Sequence, residues 1–232
     1  MATAILQARM SSQRLPGKVM KPLAGKPMVE RQIERLRRCE TLDRLVVATS
    51  TEPSDDPLAG RLERVGVEVF RGALDDVLGR FVGCLDALGV DGDVVRLTAD
   101  CPLADPGVID AGVRRRAELG VDYLSNGRVR TYPRGLDMEV FTAEALRAAG
   151  REATSAYDRE HVTPYLYAAG SRFSQGALTQ DRDESELRWT VDTPDDYAFV
   201  AKVYDALYPA NPAFTSDDIR ALPFQRYERE AL

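Results

Sequence analysis

Short apolar runs alternate with segments of helical periodicity along the first half of the chain. Four runs are predicted to be buried strands, at residues 4–6, 45–48, 67–70 and 94–97. Helical spacing begins at Pro27, recurs over 58–65, and follows the predicted capping residue Asp75 to about Leu88. Strands alternating with helices in this way predict an α/β fold, with a mostly parallel sheet and right-handed crossovers.

The rhythm changes after about residue 120, where a turn-rich loop at 126–135 separates two further predicted strands. Predicted strands lie at 121–124, 137–141 and 187–191, and predicted helices at 142–149, 156–168, 194–207 and from the capping residue Ser216 to 222. Residues 137–141 alternate in polarity as an antiparallel strand does, which makes the predicted sheet mixed. No internal repeat or linker divides the chain. We therefore predict a single domain over residues 1–232, with a substrate and dimerisation subregion at about 121–180.

The composition is that of an ordinary globular protein. The 232 residues are 44% hydrophobic and 29% charged. No apolar run approaches the length of a membrane span, and the N-terminus lacks the features of a secretory signal. We therefore expect a cytoplasmic protein without a membrane partner.

The cysteine and histidine content restricts the metals that the chain can bind. Cys39, Cys84 and Cys101 are odd in number and far apart, so neither a disulfide framework nor a paired-cysteine zinc site is predicted. His161 is the sole histidine. Any bound metal should therefore have oxygen ligands, which favours Mg²⁺ or Mn²⁺.

Charge is distributed unevenly along the chain. The net charge of −6 argues against a nucleic-acid-binding protein. Residues 1–40, however, contain nine Lys/Arg and three Glu, a net +6 that leaves −12 for the other 192 residues. A basic segment in an acidic protein indicates a local anion site. The alternative for four of these charges is a solvated helix face, formed by Arg31, Arg35, Arg37 and Arg38.

The first loop, residues 7–18, directly follows the first predicted strand, where an α/β protein usually receives a nucleotide. The chain has neither a Walker-type phosphate loop nor a Gly-x-Gly-x-x-Gly fingerprint here. Backbone N–H groups near Ser11 and Ser12 can instead bind phosphate oxygens, while Arg9, Arg14 and Lys18 neutralise their charge. The alternative is a basic surface turn.

Two aspartates follow predicted strands and precede prolines. Asp100 ends the strand at 94–97, and Asp192 follows the strand at 187–191. Strand ends of this kind point into the same crevice as the first loop, and two carboxylates there suit a magnesium ion that bridges phosphates. The alternative for each is a helix cap.

Several motifs together resemble one family. They lie at residues 4–18, 70–72 with 76–78, 97–102, 132–137, 158–165 and 189–196. In this order they are similar to the cytidylyltransferases that activate acidic sugars, in the branch named after a spore coat polysaccharide biosynthesis protein. Acylneuraminate and 3-deoxy-manno-octulosonate cytidylyltransferases are relatives of that branch. The resemblance implies a three-layer α/β/α, Rossmann-like nucleotidyltransferase fold of the glycosyltransferase-A type. It also implies CTP and Mg²⁺, with Mn²⁺ as a second candidate, and a CMP-linked product with release of pyrophosphate.

The resemblance also implies roles for individual residues. Arg9, Arg14 and Lys18 would bind the triphosphate and act in catalysis, and Asp100 and Asp192 would hold metal. The chain departs from the pattern at Met10-Ser11-Ser12, where acylneuraminate enzymes usually have Gly-Gly-Ser, and at Ala99, where Gly is common. The sugar preference of those enzymes therefore cannot be transferred, and nonulosonic acids and other small acids remain candidates.

The remaining site predictions concern the acceptor and the base. The predicted acceptor-binding residues are Arg130, Arg134, Asp137, Glu139 and His161. The first four lie in the region of residues 128–139, for which an ordinary surface loop and a strand with outward acids are the alternative. The alternative for His161 is a structural role. The predicted base-binding residues are Ala8, Thr49, Ser50 and Arg71, with Trp189 and Tyr165 left to the core. Relatives often dimerise, and we expect a homodimer through residues near 130–175.

Two other functions compete with this interpretation. A nucleotide-sugar-dependent glycosyltransferase would share the fold, but Asp100-Cys101-Pro102 supplies no Asp-x-Asp metal motif. A catalytically silent nucleotide-binding protein would have no need of the charged positions, all of which are present.

Overall fold

The computed structural model describes residues 1–228. Its strands are β1 (Ala2–Gln7), β2 (Pro22–Leu23), β3 (Lys26–Pro27), β4 (Leu42–Ser50), β5 (Glu68–Gly72), β6 (Asp93–Thr98), β7 (Tyr123–Ser125), β8 (Glu139–Thr142) and β9 (Gln175–Ala177). Its α-helices are α1 (Met28–Leu36), α2 (Asp56–Arg64), α3 (Val77–Leu88), α4 (Pro106–Leu119), α5 (Ala143–Glu152), α6 (Ala156–His161), α7 (Pro164–Tyr167), α8 (Pro194–Leu207) and α9 (Ser216–Arg220).

The main sheet has seven strands in the order β5-β4-β1-β6-β8-β7-β9. Strand β8 is antiparallel to both of its neighbours, and the other pairs are parallel. Strand β1 lies between β4 and β6, with Ile5 opposite Val46 on one side and Arg96 on the other. The predicted mixed, mostly parallel sheet is confirmed.

Apolar cores cover both faces of this sheet. Side chains alternate along β1, so that Ala4 and Leu6 enter one core while Ile5 enters the other. Helices α3 and α5 pack over the face of Ile5, and α1, α2, α4 and α8 contribute to the opposite core. The result is the three-layer α/β/α arrangement that the resemblance implied.

The strand predicted at 187–191 is wrong. This segment lies outside the main sheet and forms two isolated bridges, Arg188 with Arg134 and Leu187 with Tyr227. Trp189 N–H also donates to Arg134 O at 2.6 Å, and Val191 N–H donates to Asp100 O at 2.8 Å. Trp189 and Val191 are fully buried. The alternation of apolar and polar residues over 187–191 therefore arises from burial of every second side chain in the core. Extended loops and sheet strands can both produce this pattern.

The helix predicted over 156–168 is divided into α6 and α7. Val162 has φ +74°, and Thr163 N–H donates to His161 O at 2.9 Å, which closes a three-residue turn between the helices. Two predicted caps are also wrong by one residue. Asp76 rather than Asp75 caps α3, and Thr215 rather than Ser216 caps α9 with Asp218 as its capping-box partner.

Helix α4 and strand β9 were not among the predicted elements. In the part of the chain that the structure describes, no helix is both long and apolar enough to cross a membrane.

Candidate functional site

A cavity of about 430 Å³ opens between the first loop and the carboxyl ends of β1 and β6. We call it the loop cavity. It is lined by Gln7, Ala8, Arg9, Ser12, Gln13, Arg14, Lys18, Val19, Thr98, Ala99, Asp100, Glu160 and Asp192. The structure thus brings together the predicted phosphate-binding side chains and both predicted metal ligands, from segments more than 170 residues apart.

The first loop is fixed by its own turn and by an aspartate from another segment. Gly17 adopts φ +67°, and its N–H donates to Met10 O at 3.0 Å. Met10 N–H donates to Oδ1 of Asp55, a fully buried residue, at 2.7 Å. Burial of Asp55 disfavours its charge, but the donors Ser50, Met10 and Thr49 outweigh burial and hold the pKa of this carboxyl below its usual value.

Lys18 lies between the two aspartates. Its Nζ is 3.4 Å from Asp100 Oδ2, 3.0 Å from Asp192 Oδ1 and 2.8 Å from Val191 O. Arg14 Nη2 is 3.3 Å from Asp192 Oδ1. Burial opposes the charge on Asp192, but Lys18 and Arg14 favour it, so the pKa of Asp192 lies below its usual value.

Asp192 is supported from behind by a buried ion cluster. Arg188 Nη2 donates to Asp192 Oδ2 at 2.9 Å, and Arg188 Nε donates to Asp196 Oδ1 at 3.0 Å. Asp196 has no exposed surface; it also accepts from Arg226 Nε at 2.6 Å and from Asp192 N–H at 3.0 Å. The cluster therefore fixes both the side chain and the backbone of Asp192.

Stability should fall in acid partly because of Asp196. Burial opposes its charge, but Arg188 and Arg226 dominate and hold the pKa of Asp196 well below its usual value. The stability that this carboxylate contributes is present above the unfolded-state pKa of about 4 and is lost as pH falls through the folded-state pKa. We expect the urea midpoint to fall between pH 5 and pH 3, and to fall less steeply in Asp196→Asn.

The exposed Asp217 provides the control, because its side chain pairs with Arg220 at 2.7 Å and with no other side chain of residues 1–228. Asp217→Asn should keep the wild-type pH dependence of the urea midpoint. An equally steep fall in Asp196→Asn would show that other carboxylates account for the acid sensitivity.

A second cavity, of about 600 Å³, adjoins the first and shares Thr98 with it. We call it the tyrosine cavity. It is lined by Arg96, Thr98, Tyr123, Ser125, Gly127, Arg128, Asp137, Met138, Glu139, Tyr157, His161, Thr163 and Tyr167. Its volume suits a small organic ligand, and its polar lining suits a hydroxylated one.

Glu139 is the most heavily bonded carboxylate of the tyrosine cavity. Its Oε1 accepts from Tyr123 OH and from Thr163 Oγ1, each at 2.6 Å, and Oε2 pairs with Arg96. Arg96 also donates to Gln7 Oε1 at 3.2 Å. Glu139 therefore connects β6, β7, β8 and the start of α7, and has little capacity left for a ligand.

Three predicted arginines are engaged by the protein itself. Arg130 pairs with Asp137, Arg134 Nε is 3.2 Å from Glu228 Oε2, and Arg71 Nη2 is 2.6 Å from Asp56 Oδ1. None of the three lines either cavity within the described residues. Asp137, Glu139 and His161 line the tyrosine cavity, and their binding of an acceptor stays a prediction.

The predicted base-binding residues divide in the same way. Ala8 lines the loop cavity, whereas Thr49 and Ser50 are fully buried and donate to Asp55. Of the two serines, Ser12 lines the cavity and its N–H donates to Met10 O at 2.9 Å, while Ser11 is exposed. Roles for Thr49, Ser50, Arg71 and Ser11 in binding a base or phosphate stay predictions.

The carboxylates of the site suit a magnesium ion that is shared with a substrate. In residues 1–228, no group of three or more acidic, histidine or cysteine side chains is placed to hold a metal. Asp100 and Asp192 form a pair, bridged by the Lys18 ammonium. One or two carboxylates completed by phosphate oxygens are the usual setting for Mg²⁺, so this donor set fits that ion.

Sequence reasoning missed several residues of the site. Asp55, Arg188 and the lining residues Arg96 and Arg128 were not singled out. A signal existed for Arg96, since a charged residue interrupts the buried run Val94-Val95-Arg96-Leu97. Asp55 lies in a polar stretch with no local sign that it will be buried.

Comparison with known proteins gives one consistent result. A family model described as cytidylyltransferase matches residues 3–210. The spore coat polysaccharide biosynthesis protein SpsF of Bacillus subtilis is 32% identical over an alignment that covers 98% of this chain and 97% of SpsF. A 3-deoxy-manno-octulosonate cytidylyltransferase of Geobacter sulfurreducens is 35% identical over 118 residues, 50% of this chain and 45% of that enzyme. The structure of a cytidylyltransferase from Leptospira borgpetersenii matches with a TM-score of 0.88 at 32% identity, covering 94% of this chain and 92% of that one.

Proposed function

Because this chain belongs to the cytidylyltransferase family, we propose that it transfers CMP from CTP to a small acidic sugar and releases pyrophosphate. A nonulosonic acid or a similar acid is the proposed acceptor, for the synthesis of a surface polysaccharide or glycan. The name of the Geobacter relative supports this acceptor class, and the name of the Bacillus relative supports a role in polysaccharide synthesis. The structural observation that carries the proposal is the junction of two cavities at Thr98. The loop cavity is lined by Arg9, Arg14 and Lys18 together with acidic side chains, and the tyrosine cavity is lined by tyrosines and polar groups.

In the proposed reaction, the acceptor lies in the tyrosine cavity and CTP in the loop cavity. An acceptor hydroxyl attacks the α-phosphorus and its proton passes to water. The bond between the α-phosphorus and the oxygen that bridges it to the β-phosphorus breaks, and this oxygen leaves with pyrophosphate. Such a transfer depends on positioning and charge neutralisation more than on covalent help from the protein. Lys18, Arg14 and Arg9 line the loop cavity and would neutralise the charge that builds on pyrophosphate.

We also propose Mg²⁺, or Mn²⁺, as the cofactor. Asp100 and Asp192 would hold it, and the ion would supply charge neutralisation and a lower pKa for the attacking hydroxyl. Arg188 and Asp196 would keep Asp192 oriented for that role, since they bind its side chain and its backbone.

The glycosyltransferase and the silent nucleotide-binding interpretations are both disfavoured. Membership of the cytidylyltransferase family makes the chain a nucleotidyltransferase, and the glycosyltransferase alternative rested on the shared fold alone. The silent nucleotide-binding alternative is disfavoured because Lys18, Asp100 and Asp192 meet in one cavity.

The test is a coupled assay for pyrophosphate with each nucleoside triphosphate in turn and a panel of sugar acids. We expect release with CTP at least tenfold faster than with the other triphosphates, only when an acid is present, and abolished by EDTA until Mg²⁺ or Mn²⁺ is restored. Release of a nucleoside diphosphate from a sugar nucleotide, or no release with any acid, would contradict the proposal.

The predicted homodimer through residues near 130–175 stays a prediction. Tyr157 and Val129, at 61% and 57% exposure, are large apolar side chains of this region that are exposed in the single chain. Light scattering after size-exclusion chromatography would test it, and a monomeric mass at micromolar concentration would contradict it.

A further inference from the structure

Most charged side chains of the tyrosine cavity are neutralised inside the protein. Glu139 pairs with Arg96 and accepts two further hydrogen bonds. Asp137 pairs with Arg130 and accepts from Gly135 N–H at 2.7 Å. Both carboxylates are therefore already matched to a positive charge, and neither calls for a cationic ligand.

Arg128 is the exception. It lines the tyrosine cavity, is exposed, and has no ion pair with a carboxylate of residues 1–228. Its guanidinium lies instead over the ring of Tyr167, with Cζ 4.2 Å from the ring centroid. One positive charge thus faces the cavity without a counter-charge, which is the condition for recruiting a single anionic group.

Arg128 is also held in place by its surroundings. The turn that presents it is closed by Gly127 N–H donating to Ser125 Oγ at 2.8 Å. The buried Asn126 bonds to Leu136 O at 2.7 Å and accepts from Met138 N–H at 2.9 Å, which fixes this turn to the segment entering β8. Contact with the Tyr167 ring restricts the guanidinium, whose N–H donors lie in the guanidinium plane and stay available to a ligand.

We infer that Arg128 binds the carboxylate of the acceptor and selects a monoanionic sugar acid over neutral sugars and phosphate monoesters. A planar guanidinium matches a carboxylate with two parallel hydrogen bonds. A phosphate dianion would bring a second negative charge next to Asp137 and Glu139, whose own partners are already used. The inference rests on the proposed function for the reaction and adds the residue and the charge that define the acceptor.

Binding can be measured by calorimetry on the full chain, with the non-hydrolysable α,β-methylene analogue of CTP present. The monoanionic probes are 3-deoxy-manno-octulosonate and N-acetylneuraminate; the methyl ester of N-acetylneuraminate and glycerol 3-phosphate are the neutral and dianionic probes. In Arg128→Gln we expect the acid to bind about 10- to 100-fold more weakly, the usual range for a lost hydrogen-bonded charge. Arg128→Lys should lose less, and both variants should keep the wild-type affinity for the CTP analogue.

Arg172 provides a matched control. It is exposed and its Cζ is 5.0 Å from the ring centroid of Phe173, but it lies outside both cavities. Arg172→Gln should bind the acid as the wild type does. In the wild type, the ester and glycerol 3-phosphate should bind at least tenfold more weakly than the acid.

The inference is overturned if neither acid binds the wild type, if Arg128→Gln binds the acid with unchanged affinity, or if the ester or glycerol 3-phosphate binds as tightly as the acid. Its failure can be distinguished from failure of the proposed function. Acid binding that requires Arg128, without any release of pyrophosphate from CTP, would refute the function and retain the residue. Pyrophosphate release that is unchanged in Arg128→Gln would retain the function and refute the role of Arg128.

Discussion

Replacing Lys18 with alanine is expected to reduce kcat for pyrophosphate release by about 10²–10³, with little loss of stability. The Lys18 ammonium is the cation that Asp100 and Asp192 share, and it lines the cavity proposed for CTP. Without it, charge on the departing pyrophosphate is less stabilised. Stability changes little because Asp192 keeps Arg14 and Arg188 as partners. Steady-state kinetics with CTP and the best acceptor, together with thermal unfolding, provide the measurement.

Lys26→Ala is the control for Lys18. The substitution removes a charge from the same basic segment. The Lys26 side chain is 53% exposed, lies outside the loop cavity, and makes only a long ion pair, with Nζ 3.9 Å from Glu34 Oε2. We expect wild-type kinetics from it.

Asp192→Asn should lose activity to a similar degree as Lys18→Ala, since it removes one carboxylate of the same pair. A wild-type rate in Lys18→Ala would remove this residue from the proposed catalytic site.

Glu139→Ala is expected to cause the largest loss of stability, about 3 kcal/mol. The substitution leaves the Arg96 guanidinium, only 16% exposed, without its counter-charge, and deprives the Tyr123 and Thr163 hydroxyls of their acceptor. For a chain of this length the melting temperature should fall by roughly 10 °C. Urea unfolding at pH 7 measures the free energy of unfolding. An unchanged m-value would show that the variant and the wild type expose the same surface on unfolding and can be compared.

Glu68→Ala is the matched surface control for Glu139. Glu68 and Arg44 pair at 2.6 Å, but their side chains are 40% and 36% exposed, so their removal should cost less than about 1 kcal/mol. Glu139→Gln should lie between the two, because it retains a hydrogen-bond acceptor and loses the charge. If Glu139→Ala cost no more than Glu68→Ala, the bonds to Glu139 would contribute little to stability.

The first loop was predictable because its chemistry is local. Arg9, Arg14 and Lys18 fall within one span of ten residues that begins shortly after a strand, and the structure places all three on one cavity. Asp100 was predictable for the same reason, as it follows β6 directly. Asp192 was placed correctly although the strand predicted before it is not a sheet strand. Its position depends on Asp196 and Arg188, which bind it.

The tyrosine cavity was predicted only in part. The sequence predicted Asp137 and Glu139 as acceptor-binding residues, and both line this cavity, but the anion partners that it suggested were Arg130 and Arg134. These two form ion pairs with Asp137 and Glu228. Distances between side chains that are far apart in sequence decide which arginine stays unpaired. The periodicity of the sequence contains no information on these distances.

By itself the sequence determined the layers of this fold, the family, and the position of the basic first loop. The position of the loop follows from hydrophobic periodicity and strand-end chemistry, which act over a few residues. The family, and the layers that the resemblance implied, follow from the order of motifs along the chain. Only the tertiary structure decided that Lys18 lies between Asp100 and Asp192, that Asp55 anchors the first loop, and that Arg128 alone faces the tyrosine cavity without a counter-charge in the described chain. Each of these is a balance of charges that folding brings within a few ångströms, and electrostatic energy at that range depends on separation and burial, which a linear sequence does not contain.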